Sequence, residues 1–456
     1  MSIVLSKLSC SNKANLITGF MKNSKIILYS LPIFGGGFMN FLITNFLLKY
    51  TTDVLLIAPA ILGSILFTAR IWDAINDPII GHLSDITISK MGKRKSWIIL
   101  SSLPLVISFI LVWQDPFNHS TLSIVWLTII LFIFFTLITA LYVPHYSLGA
   151  DLTKSYNERN KIFAIRSLVE NIGVIIAVLF TAKLEKNLIS SGNLLFGGSI
   201  IFALVFLILV FWFSKSIDEK ATSYKVKGKT SLFISFSHVL KNKNTRYVLL
   251  GTLCTQFAST IIMVMAPFYA PLVLGQKVGS ILVAVFMIGA LLSTLLWPLL
   301  GKTLEKKQIW QICTFVLSLG FTYFLFATTF SIVLTYIICF ILGSFAGGIL
   351  IILPSMIADC IDEDEAKHHQ RKEGIFYSVF TFVNKTGMGF ASALAGFILY
   401  FSLYNSKLSI QSQSTIDIIK IFYALTPMLL FLGGFISMKK YSLSQKNHKK
   451  ILTKLS

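Results

Sequence analysis

Charge is scarce in this sequence, and negative charge is scarcest. Only 13% of the 456 residues are charged, 19 acidic against 40 basic. A soluble domain carries about 25% charged residues, so half of the usual solvating charge is missing. That shortage excludes a chain that covers itself with a water-exposed surface, and no long stretch reads as a separate soluble domain. Cysteine is sparse too: Cys10, Cys254, Cys313, Cys339 and Cys360 are scattered without Cys-x-x-Cys spacing. This excludes a disulfide framework or a thiolate metal site, and leaves four of them as small packing residues in or at the ends of apolar segments. A His/Asp metal cluster, a Ser-His-Asp set and a Walker motif are all missing, which argues against an enzyme or an ATP-driven pump. No cofactor is expected. The segment before Lys25 is polar and shows no cleavable signal. Leu8-Ser9-Cys10 has a superficial likeness to a lipoprotein box, but the run before it is too short and contains Lys7.

What the chain has in abundance is apolar length. Hydrophobic residues make up 55% and the mean hydropathy is +0.77. A membrane-spanning helix needs about 20 mostly apolar residues. Such runs lie near 26–49, 54–81, 97–114, 121–148, 162–184 and 194–214, and again near 246–274, 278–300, 309–328, 331–358, 374–403 and 416–438. The prediction is an all-α integral membrane protein of twelve helices. Its parts are an N-terminal six-helix bundle (1–214), a linker (215–245) and a C-terminal six-helix bundle with a basic tail (246–456).

The net charge of +21 lies almost entirely between the apolar runs. It therefore reads as topology rather than as a nucleic-acid surface. Lys90, Lys93, Arg94 and Lys95 follow helix 2, and similar clusters follow helices 4, 6, 8 and 10. The loops 114–120 and 328–331 contain no Lys or Arg. The even-numbered loops and both termini are expected on the cytoplasmic side. The two halves also echo one another: Asp77-Pro78-Ile79-Ile80-Gly81 ends helix 2 and Trp297-Pro298-Leu299-Leu300-Gly301 ends helix 8. Parallel six-helix repeats are the architecture of major facilitators, with the substrate cavity between them.

A charge at mid-bilayer costs about 2.5–3.5 kcal/mol on insertion scales, so each one calls for a function. Asp73 and Asp77 stand one helical turn apart on helix 2, with Arg70 before them and Asn76 beside them. Two carboxylates and an amide oxygen suit a hard cation. The same pair suits a shared proton, because close carboxylates push one pKa up, or an internal ion-pair cluster that holds helices together. Thr139 on helix 4 adds a hydroxyl ligand or a helix–helix hydrogen bond. Lys385, deep in helix 11, competes with a cation for the acids, contacts substrate, or serves as a fixed counter-ion. Arg166 reaches towards a polar substrate, with Glu170 one turn on as its neutraliser. Tyr142, Tyr146 and Tyr377 are candidate cavity-lining aromatics. Asp85, Arg94, Asp151, Arg159, Asp359 and Arg371 are expected in cytoplasmic loops, as ion pairs that latch one access state or as solvated charges. Gly35 to Gly37, and Gly343 with Gly347 and Gly348, permit close helix approach.

The run Arg70-Ile-Trp-Asp-Ala-Ile-Asn-Asp-Pro-Ile-Ile-Gly81, followed by Gly92-Lys93-Arg94-Lys95-Ser96-Trp97, resembles the glycoside–pentoside–hexuronide:cation symporters. Tyr50 to Val54, Pro144 to Thr153, Glu158-Arg159 with Arg166, and Ile357 to Lys385 extend the match in order. The resemblance implies a symporter driven by sodium, lithium or protons. It implies a cation site at Asp73, Asp77 and Asn76 near Thr139 and Lys385, and a sugar-side arginine at Arg166. Galactoside permeases of this family use one acid on helix 1 and another on helix 4; those places fall on Gly37 and Tyr142. A galactoside is therefore in doubt, and a lysophospholipid fits an acid-free pocket as an alternative. A non-transporting membrane sensor is the reading from another class. The implied setting is a bacterial cytoplasmic membrane, the implied partners a small-molecule substrate and lipid, and the implied state a monomer.

Overall fold

The computed structural model describes residues 23–451, apart from 118–119, 154–155, 187–191, 218, 220–236, 238, 277, 302, 369–372, 409, 446 and 449–450. Cys10 and Arg371 lie outside the described residues, as does the side chain of Arg159. Among the described residues, ten helices are long and apolar enough to cross a membrane. They are α1 (Asn23–Asp53), α3 (Lys93–Val112), α4 (Thr121–Asp151), α5 (Tyr156–Glu185), α6 (Gly192–Ser216), α7 (Lys243–Val273), α9 (Lys306–Phe321), α10 (Ile332–His368), α11 (Glu373–Phe401) and α12 (Gln413–Ser437). Two further helices lie where the remaining spans are expected. α2 (Pro59–Ile86) is long enough, but Arg70, Asp73, Asp77 and Asp85 lower its hydropathy. α8 (Ser280–Ser293) is apolar but short.

The differences from the expected spans have local causes. α2 begins at Pro59 rather than near 54, because the chain turns at Leu56 (φ 54°) and Pro59 takes the first helical turn, where its missing N–H costs nothing. Pro78 sits inside α2, yet its counterpart Pro298 follows a break after Ser293, so Trp297–Leu300 is a separate turn. α10 runs ten residues past its expected end. Its 37 residues span about 55 Å at 1.5 Å each, well beyond a hydrocarbon core of about 30 Å, so its acidic last turns project from the membrane.

Helix order in space departs from the sequence. α1 packs on α5 and α6, α3 on α4, α7 on α12, α8 on α10, and α9 on α10 and α12. Two contacts join the halves in a matched way: α2 with α11, and α5 with α8. The α2–α11 seam depends on glycine. A Cβ on Gly63 would stand 2.8 Å from the Ser392 carbonyl oxygen, and one on Gly396 would overlap the Pro59 carbonyl. Gly343 and Gly347 let α10 approach the backbone of α8 in the same manner. Cys254, Cys313, Cys339 and Cys360 stand within α7, α9 and α10, three of them buried.

Apart from the Lys385 contacts at mid-seam, the bonds that join the halves among the described residues gather at one end. Lys49 pairs with Asp53 at 2.6 Å, stacks over Phe268 at 4.4 Å and reaches the Tyr404 hydroxyl at 3.3 Å. Tyr404 donates in turn to Asp53 at 3.0 Å, and Ser406 to the Thr52 carbonyl at 3.2 Å. Beside them Glu185 of α5 accepts from the Ser280 amide at 2.9 Å and the Ser280 hydroxyl at 2.7 Å. That carboxylate caps the first turn of α8 across the interface. At the opposite end the ion pairs among the described residues stay within one half. Arg94 pairs with Asp85 at 3.0 Å and with Asp151, and Lys306 with Asp359 at 2.7 Å. Among the described residues the halves are fastened to each other at the first end.

Candidate functional site

Midway along the seam, α2 and α11 bring four charges together. Asp73 is 2% exposed. Its Oδ1 accepts from Thr139 of α4 at 2.6 Å and faces the Lys385 ammonium at 3.0 Å, while Oδ2 faces Arg70 at 3.3 Å. Lys385 reaches Asp77 at 2.7 Å as well as the Asp73 carbonyl at 3.3 Å. Two carboxylates and two cationic groups balance, which is how so buried a set avoids an uncompensated charge. The spacing explains the geometry: residues 73 and 77 stack on one helix face, and a single ammonium with three donors bridges both.

Arg70 is itself held from α1. Its guanidinium donates to Asn40 at 3.4 Å and to Thr44, and lies over the Phe135 ring at 4.4 Å. Thr44 falls in a π-helical turn, Leu42–Phe46, that interrupts α1. Such single turns often mark functional positions, because the extra residue re-aims the side chains around it. Asn76 turns away from the carboxylates. Its amide donates to Thr136 of α4 at 3.2 Å, and the Trp72 indole reaches the same hydroxyl at 3.0 Å. Asp73, Asp77, Thr139, Lys385 and Arg70 thus meet in one place, and Asn76 fastens α2 to α4 beside them.

A second polar cluster lies between α1, α4 and α5. Arg166 pairs with Glu170 at 3.2 Å, and its guanidinium lies 5.7 Å from the Tyr142 ring and 5.4 Å from that of Tyr146. Its Nε donates to Nδ1 of His145 at 3.4 Å. His145 is fully buried, stacked on Tyr29 with centroids 4.2 Å apart, and its Nε2 meets the Tyr29 carbonyl at 2.8 Å. Those partners place the proton on Nε2 and leave Nδ1 as the acceptor, a neutral ring. The Tyr29 hydroxyl donates back to the His145 carbonyl at 2.7 Å. His145 therefore fixes the plane of Arg166, a role that the lone histidine of Pro144-His145-Tyr146 did not signal.

Two expected cavity residues prove to be packing positions in part. Gly37 is buried, and a Cβ there would stand 2.6 Å from the Glu170 carbonyl oxygen. It is the contact point of α1 with α5, not an open surface. The Tyr142 ring covers Gly36, where a Cβ would meet it at 2.7 Å, and its hydroxyl is buried. Tyr146 is 55% exposed and Tyr377 39%.

Of the expected gate residues, the described Asp85, Arg94, Asp151 and Asp359 pair within their own halves. Arg94 joins Asp85 and Asp151 and also donates to the Ser147 carbonyl at 2.5 Å. Asp359 pairs with Lys306, and His448 reaches Asp362 at 2.9 Å. Glu219, just beyond α6, accepts from the Arg94 and Lys95 amides at 2.9 and 2.8 Å and so caps α3. Lys306, His448 and Glu219 carry no motif, and their partners lie tens of residues away in sequence.

Residues 28–445 match the MFS/sugar transport protein family. Among curated relatives, the chain is 26% identical to the inner membrane symporter YicJ of Escherichia coli, covering 90% of each chain. It is 25% identical to the glucuronide carrier protein homolog of the same bacterium, covering 94% of each. A sodium-dependent lysophosphatidylcholine symporter of Gallus gallus is 24% identical, over 89% of this chain and 83% of that one. In structure, the chain is similar to a bacterial homolog of the human lysosomal transporter Spinster, solved inward-facing and unoccupied. The TM-score is 0.67 at 15% identity, covering 95% of this chain and 99% of that one. The fold is therefore that of the major facilitators, and the helix 2 motif is matched by a family assignment over most of the chain. This chain belongs to the MFS/sugar transport protein family of multi-pass membrane transporters.

Proposed function

We propose that the chain is a cation-coupled symporter of a polar, sugar-like solute, working by alternating access. The observation that carries this reading is the Lys385 ammonium between Asp73 and Asp77. An ammonium from one half fills the place that a transported cation needs, so the acids are neutral as a set while the site is empty of cation. Sodium or lithium entering there displaces Lys385, gains carboxylate oxygens and the Thr139 hydroxyl, and loosens the α2–α11 seam. A proton on one carboxylate has the same electrostatic effect. Cation and solute then raise each other's affinity through the state they share.

The bundles 1–214 and 246–456 rock about the seam, with 215–245 linking them. The positive-inside bias supports placing the end with the Arg94 and Lys306 pairs in the cytoplasm together with both termini. On that placement the end fastened by Lys49 and Glu185 faces outwards, and a bacterial inner membrane is the setting. The relative that is a lysophosphatidylcholine symporter favours a second reading, a lysolipid substrate. The polar flank of α5, with exposed Ser167, favours a hydrophilic solute.

The test is uptake into proteoliposomes with and without an inward sodium gradient at fixed pH, against a panel of glycosides, pentosides, hexuronides and lysophospholipids. Gradient-driven accumulation that disappears in Asp73→Asn is the expected result. Uphill uptake retained in that variant overturns the site, and uptake of lysolipid alone overturns the substrate class.

A further inference from the structure

We infer that Glu170 is the carboxylate of the solute site and that, beside Arg166, it selects an uncharged vicinal diol over an anion. The inference rests on the symport reading above and names its substrate chemistry.

The location comes from the faces of α5. Ser167 is exposed, Asn171 partly so, and the Glu170 side chain is 27% exposed. These residues follow Arg166 on one flank of the helix, while Leu168, Ile172, Ile176 and Leu179 are exposed on the other. A spanning helix puts apolar residues towards lipid; a polar flank left exposed faces water inside the protein. Glu170 stands at the edge of that flank.

Its position is built by a glycine. A Cβ on Gly37 would stand 2.6 Å from the Glu170 carbonyl oxygen and 3.2 Å from its Cγ. Only a residue without a side chain lets α1 lie this close, so the Glu170 carboxylate occupies the space in front of α1. Arg166 is equally fixed, by His145 behind it and by Glu170 at 3.2 Å. A guanidinium that only donates and a carboxylate that only accepts are thus held side by side.

That pair has no net charge. A ligand carboxylate or phosphate has to displace Glu170 from Arg166 or lie against its negative charge. A hydroxyl both donates and accepts, so two adjacent hydroxyls satisfy both partners without bringing charge into the membrane. Tyr146, 55% exposed, stacks on Phe163 at 4.5 Å beside the guanidinium and leaves its outer edge and hydroxyl towards a sugar.

The experiment uses purified full-length protein in sodium buffer. Binding is measured for p-nitrophenyl hexosides and pentosides and for the uronides that match them in all but the carboxylate. At least one neutral glycoside binds, and its uronide binds at least tenfold more weakly. Glu170→Gln narrows that ratio at least tenfold, because the repelling charge is gone. Glu170→Asp weakens the neutral glycoside but keeps the discrimination. A carboxylate that merely neutralises Arg166 predicts that both affinities fall together in Glu170→Gln, with the ratio unchanged; that result overturns the inference. Tight uronide binding by the wild type overturns it too, as does the failure of every neutral glycoside to bind. Stabilisation by sodium that is lost in Asp73→Asn tests the symport reading independently of Glu170. If it persists while the ratio test fails, only the present inference falls.

Discussion

Lys385 of α11 stands 2.7 Å from Asp77 and 3.0 Å from Asp73, so one ammonium from the C-terminal half closes the gap between two carboxylates of the N-terminal half. Removing it has two effects that point in opposite directions. Lys385→Ala leaves Arg70 alone against two carboxylates, so the variant unfolds at a lower temperature than wild type in sodium-free buffer. It also removes the internal competitor, so sodium binds more tightly and raises the unfolding temperature by more than it does in wild type. Thermal unfolding across a sodium titration checks both. A variant no more responsive to sodium than wild type means that Lys385 does not occupy the cation's place.

Thr139 gives a finer test, since its hydroxyl donates to Asp73 at 2.6 Å from a third helix. Thr139→Val keeps the shape and removes the donor and ligand oxygen. A lost hydrogen bond to a charged group is worth about 1.5–3 kcal/mol, which corresponds to roughly 10- to 150-fold in cation affinity. Thr139→Ser restores most of it. The sodium concentration for half-maximal uptake is the measurement, and equal values in Val and wild type remove Thr139 from the site.

The legibility of these residues in the sequence follows from cost. Asp73, Asp77 and Lys385 announce themselves because a charge in a spanning segment is expensive, and spacing alone puts the two acids on one face. Thr139 could be linked to them only through resemblance. The rest depends on distant packing. That Gly37 makes room for Glu170 rather than touching solute, that His145 orients Arg166, and that Asn76 turns to Thr136 each require knowing which helix faces which. The gate charges are recognisable as charges; that Arg94 joins Asp85 and Asp151, and Lys306 joins Asp359, is not, because those pairings depend on which helix ends lie side by side. The break of α8 before Pro298, where the matching Pro78 stays inside α2, is likewise invisible in a local motif.

The closed end of the seam is held by contacts that other conformations must break. Gly63 and Gly396 allow α2 and α11 to touch backbone to backbone. Gly396→Val places methyl groups against the Pro59 carbonyl and disfavours this closed end. Ser392 is 2% exposed here, so a cysteine at that position reports the opening. In a background with the five native cysteines replaced, an impermeant maleimide labels Ser392→Cys severalfold faster when Gly396→Val is present. Unchanged labelling means that the seam does not open at this point.

Glu185 supplies the second fastening, and it works by a different physical means. Its carboxylate accepts both the amide and the hydroxyl of Ser280, so it caps the positive end of α8 from the opposite half. Closing the end buries the carboxylate; opening it returns the acid to water and leaves the helix terminus uncapped. The two residues are then coupled only in the closed state. In a double-mutant cycle of Glu185→Gln and Ser280→Ala, an interaction of about 1 kcal/mol is expected from unfolding in the conformation described. The same cycle, repeated with this end of the seam held open by Gly396→Val, gives a value near zero. An interaction that survives in that background shows the cap to be a permanent joint between α5 and α8, and the rocking axis then lies at α8 rather than along the α2–α11 seam.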